Sequence, residues 1–114
     1  LGDGEQRTYR GVQFEIEGRD DEARRDYEMS LEADPDDLDT LINFGTFLLR
    51  TDGPQASLPL LAKATELDPR AGWQLSDVHL ALGNVELAIL ALELALSAGE
   101  LRAAHALEEL RSEQ

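Results

Sequence analysis

Two stretches decide how this chain folds: Leu31-Glu32-Ala33-Asp34-Pro35 and Thr65-Glu66-Leu67-Asp68-Pro69. Each ends an apolar-periodic run with an acid and a proline, and the prolines stand 34 residues apart. A spacing of that size marks internal repetition. The same offset carries Gly11 onto Gly45, Phe14 onto Leu48, Tyr27 onto Leu61 and Glu32 onto Glu66, so small, bulky and acidic positions recur in register. A third copy, offset by 65 residues from the first, takes Gly18 to Gly83, Ala23 to Ala88, Tyr27 to Leu92 and Leu31 to Leu96. It is three residues short of two full periods, and the loss falls just after Pro69, where nothing matches the Asp36-Asp37-Leu38 connector.

Within each copy the apolar period is helical. Leu41, Phe44, Phe47 and Leu48 share one face, and no stretch alternates as a strand would. Turn and capping residues at 18–20, 34–36, 51–54, 68–69, 83–84 and Gly99 predict seven helices near 5–17, 20–33, 37–50, 54–67, 71–82, 85–98 and 100–112. Pro59 conflicts with the fourth, because it cannot donate to the Gln55 carbonyl. That helix is expected to start late or to have an irregular first turn.

The composition excludes several classes of protein. With 114 residues, 42% hydrophobic and 30% charged, the chain suits one folded domain. No apolar run approaches the ~20 residues of a membrane span. Without Cys there is neither a disulfide framework nor a thiolate site. That leaves the compartment open, with a cytoplasmic location as the expectation. A net charge of −14 disfavours nucleic acid and anionic membranes, and favours a protein partner that is neutral or basic rather than acidic. Residues 1–37 hold 13 acids against 5 bases, read as a solvated helix face with an acidic docking patch as the alternative. The opening Leu1-Gly2-Asp3-Gly4 has neither an initiator Met nor a secretory pattern, as expected of a fragment of a longer chain.

Paired helices at this period resemble tetratricopeptide (TPR) repeats. The family's small first-helix residue matches Gly11 and Gly45, with a bulky residue three later at Phe14 and Leu48. Its turn glycine matches Gly18 and Gly83, shifted to Gly53 in the middle copy, and its second-helix alanine matches Ala23 and Ala88, with Ser57 between them. Tyr27, Leu61 and Leu92 match the next bulky position, Ser30, Ala64 and Ala95 the next small one, and Pro35 and Pro69 the terminal proline. The departures are Ser57, His79 in place of Phe14 and Leu48, and the shortened third copy. The resemblance implies an all-α, right-handed superhelical array of about three antiparallel helix pairs plus a C-terminal capping helix. Three repeats would occupy residues 4–99 (about 4–37, 38–69 and 70–99), with the capping helix and tail at 100–114.

No catalytic or metal constellation stands out, so the chain reads as a non-enzyme without cofactor. His79 and His105 lie among Leu and Ala without further ligands. The acidic turn Asp34 to Asp39 lacks the mid-loop Gly and distal Glu of a calcium loop, and reads as helix capping. In arrays of this family the first helix of each pair lines the concave face. The resemblance therefore implies partner binding at Tyr9, Val12 and Ile16, then Ile42, Asn43, Thr46, Leu49 and Arg50, then Trp73, Gln74, Asp77 and Leu80. Trp73, the only tryptophan, is either a binding anchor or a cover for the junction between the second and third pairs. Some relatives clamp acidic chaperone tails with basic and amide side chains. Here Asn43 matches, Arg70 is a partial second, and Thr8, Val12 and Gln74 stand at the other clamp positions, so that specialised function is not expected.

The helix from Val85 to Leu96 is apolar almost all round, through Leu87, Leu90, Leu92 and Leu94 among others, so something must cover its outer side. The stripe Ala103, Ala106, Leu107 and Leu110 on the last helix is the expected cover, with a subunit interface as the alternative. The resulting expectation is a protein–protein interaction module holding a peptide segment in its concave groove. The alternative is a self-associating structural domain, a homo-oligomer.

Overall fold

The computed structural model describes residues 3–114, with side chains from Tyr9 onward. Seven α-helices run through these residues: α1 (Asp3–Ile16), α2 (Asp20–Ala33), α3 (Leu38–Thr51), α4 (Pro54–Leu67), α5 (Gly72–Ala81), α6 (Val85–Ser97) and α7 (Arg102–Ser112). A 3-10 turn, Pro69–Ala71, leads into α5. Neighbours pack as antiparallel pairs, α1 with α2, α3 with α4 and α5 with α6. The pairs stack through α2 on α3 and α4 on α5, and α7 closes the end against α6. This is an all-α solenoid of helix pairs with a terminal cap.

The small positions work by letting the two helices of a pair approach. A Cβ on Gly11 would meet the Tyr27 ring at 2.6 Å, and one on Gly45 would meet Leu61 at 2.7 Å. In the third copy Ser76 takes this place, buried, and its Oγ donates to the Trp73 carbonyl at 2.7 Å. Ser57, at the alanine position of the middle copy, donates to the Gly45 carbonyl at 2.6 Å, so the buried hydroxyl is satisfied. Gly18, Gly53 and Gly83 end the first helix of each pair at φ of 76°, 103° and 81°, a region that favours glycine.

The core runs continuously along the stack. Tyr27 lies against Phe44 and Phe47, with ring centroids 5.3 and 5.7 Å apart, joining the first two pairs. Leu61, Leu75, Val78 and Ala91 join the second and third. Leu92, Ala95, Ala103 and Leu107 join the third to α7.

Two expectations are corrected. Helix α4 starts at Pro54, where a proline is well suited to the first turn, and continues through Pro59. Pro59 and Gln55 are both exposed, so the carbonyl left without an N–H donor is on the solvent side. Secondly, α7 does not cover the outer face of α6. It packs on Leu92, Ala95, Ile89 and Leu96, while Leu87, Leu90 and Leu94 stay 46%, 55% and 53% exposed.

Candidate functional site

Helices α1, α3 and α5, the first of each pair, lie side by side, and the start of α7 continues the row. Where α3, α5 and α7 meet they leave a groove of about 220 Å³, lined by Leu38, Asp39, Ile42, Asp68, Arg70, Ala71, Gln74, Glu100 and Arg102. Its walls are set by a turn that recurs at each copy boundary. Asp34 Oδ1 accepts the Asp36 N–H at 3.1 Å, Asp68 Oδ1 that of Arg70 at 3.0 Å, and Glu100 Oε1 that of Arg102 at 3.2 Å. In the second and third turns the arginine side chain also folds back on the same acid, at 2.6 Å for Arg70–Asp68 and 2.7 Å for Arg102–Glu100. The Arg102 partner holds the Glu100 carboxyl well below the usual carboxylate range, at about 2.

Of the twelve expected binding residues, some face this surface and some build the wall behind it. Tyr9, Ile16, Thr46, Asp77 and Leu80 are exposed. Ile42 and Gln74 line the groove itself, while Asn43 is half-buried and outside its lining. Val12 packs into the aromatic core of the first two pairs, and Leu49 against the cluster that joins the second and third. Arg50 is exposed but engaged, reaching Glu15 at 3.3 Å and Asp20 at 3.2 Å. Glu15 in turn accepts the Tyr27 hydroxyl, whose burial keeps the phenol protonated well above its ordinary range. Trp73 is half-buried, and the junction it covers is the one between the third pair and α7. The Arg102 guanidinium lies 5.2 Å from its ring centre. Of the residues at clamp positions, Thr8 lies outside the described side chains.

The sequence reading missed Arg102, Glu100 and Asp39, which complete the groove. The signal was present in the spacing of Asp34/Asp36, Asp68/Arg70 and Glu100/Arg102. The third turn has slipped by one residue and lacks the proline that flagged the others.

This architecture recurs in solved structures. The first TPR domain of Spaghetti (RPAP3), bound to the HSP90 peptide SRMEEVD, is similar with a TM-score of 0.84 at 19% identity, over 96% of this chain and 93% of that one. The chain has a TPR-like helical-repeat fold. The MamA protein is likewise similar to this TPR-like chain, with a TM-score of 0.81 at 23% identity over 97% of it. A mutant form of MamA gives 0.73 at 21% over 94%. The chain spans 63% and 65% of those two MamA chains. No family model and no curated protein matches the sequence.

Among the described residues no three or more His, Cys, Asp or Glu stand together as a metal site, and no helix is long and apolar enough to cross a membrane. His105 lies on α7 within 3.0 Å of Glu109, and His79 has a buried Nδ1 without a partner among the described residues.

Proposed function

We propose that this TPR-like chain is an adaptor that holds a peptide segment of another protein along the row of α1, α3 and α5. The observation that carries this reading is the groove between α3, α5 and α7, where apolar Ile42 and Ala71 lie beside polar Gln74 and Asp39. A mixed lining of this kind fits an extended peptide through side-chain packing and a few polar contacts. The similar domain of Spaghetti holds the peptide SRMEEVD, which establishes that a fold of this shape can do so in that protein. The acidic character of that peptide does not transfer. Arg50, Arg70 and Arg102 are each paired to acids of this chain, so the partner is neutral or basic.

The test uses peptides recovered by display against the whole chain. Thr46 is exposed on α3, and Thr46→Arg places a bulky cation on the proposed surface without disturbing the core. It should weaken binding at least tenfold, about 1.4 kcal/mol, while Leu90→Arg on the outer face of α6 leaves it unchanged. The reverse pattern would move the site to α6.

Self-association has one specific observation behind it, the exposed Leu87, Leu90 and Leu94. A net charge of −14 opposes bringing two copies together. Light scattering across concentrations decides it: a monomer throughout removes this reading.

A further inference from the structure

We propose that the peptide taken by this groove carries a basic side chain that pairs with the Asp77 carboxylate, beside an apolar side chain seated on Leu80. The proposal rests on the groove reading and specifies its ligand. The charges on this face are used asymmetrically.

Every arginine on the face is already paired. Arg50 is held by Asp20 and Glu15, Arg70 by Asp68, and Arg102 by Glu100 while also covering the Trp73 ring. Asp77 has no hydrogen bond or ion pair among the described residues. Its surroundings desolvate it enough to raise its carboxyl above the usual range, with no compensating partner. Most exposed acids of this chain are simply solvated. Asp77 differs in standing unpaired and exposed on the face of α5 that continues from groove-lining Gln74, where an incoming cation can pair with it. It also sits where a peptide would reach it. Trp73, Gln74, Asp77 and Leu80 follow one another at helical spacing along a single face of α5, and Gln74 lines the groove one turn before Asp77. Leu80, 38% exposed, gives an apolar seat one turn further on. The surrounding negative field would draw a basic peptide towards the face.

The experiment pans a random heptapeptide display library on the whole chain at about 0.1 M salt, where charges beyond ~10 Å are screened. Selected peptides are then resynthesised with arginine replaced by citrulline, which keeps the shape and removes the charge. The expected result is enrichment of Arg or Lys beside Leu, Ile or Val, and roughly tenfold weaker binding on either Asp77→Asn or citrulline substitution, with no further loss when both are combined. Glu28→Gln, on an exposed position of α2, should change little. Asp77→Asn should leave the unfolding midpoint equal or higher, since it removes an unpartnered charge. Asp77→Lys should shift selection towards acidic peptides. Peptides lost on Thr46→Arg but indifferent to Asp77→Asn would overturn this inference and leave the groove reading standing. Failure to select any peptide would count against both.

Discussion

Gly72 shows how a single atom can govern the packing of a pair. A Cβ there would press into the Ala91 carbonyl oxygen, well inside van der Waals contact, and backbone cannot swing aside as a side chain can. Gly72→Ala is therefore expected to destabilise the chain by roughly 1–3 kcal/mol in denaturant melts. Gly45→Leu should cost a similar amount against the Leu61 side chain. An unchanged midpoint for Gly45→Leu would refute the assigned register. Gly45 was legible in the sequence because it recurs 34 residues after Gly11. Gly72 was not, since its demand comes from the shortened third copy, which has no counterpart in the other two. His79 is a second residue of this kind. It stands where the repeat has Phe14 and Leu48, and desolvation lowers its pKa below the ordinary 6.5. The unfolded chain then binds the proton more readily than the folded one, so stability present above pH 6.5 is lost as pH falls through the folded value. His79→Leu should flatten that loss in melts between pH 7 and pH 5. A variant with the parent's slope would show that His79 plays no part in it.

At the scale of elements, periodicity located all seven helices, and α2 and α4 keep the bounds read from their turn residues. The first helix of the third pair was harder to read. The 3-10 turn Pro69–Ala71 replaces its opening turn, because losing the connector makes the chain enter the helix directly from Pro69. The role of α7 was legible only in part. Its apolar stripe correctly marked it as a cap, but a helical wheel cannot say which side of an all-apolar α6 faces its neighbour. The structure places Leu92, Ala95 and Leu96 under α7 and leaves Leu87, Leu90 and Leu94 in solvent. Removing residues 102–114 should therefore uncover the Leu92 side and leave Trp73 without Arg102 or Leu107. It should either unravel the third pair or cause association, with a red-shifted Trp73 fluorescence. A truncated chain that stays monomeric, equally stable and unshifted would contradict the cap.

Over the whole molecule, the row of α1, α3 and α5 could be read from the sequence only by position. Counting repeats places Ile42, Thr46, Gln74 and Asp77 on one side, but nothing in the sequence reveals that Arg50, Arg70 and Arg102 are paired with the chain's own acids. Those pairs form through tertiary contact across 30 residues for Arg50–Asp20, and through side chains folding back at the copy boundaries. They turn a surface with three cations into one whose open charges are acidic. The central claim, that a peptide lies along this row, is tested most directly by mapping amide chemical shifts of the labelled chain titrated with a display-selected peptide. The expected result is a contiguous set of shifted amides including Asn43, Thr46, Gln74 and Asp77, saturating together, with Leu87, Leu90 and Leu94 unmoved. Shifts confined to Leu87, Leu90 and Leu94 would contradict the account and place recognition on the outer face of α6.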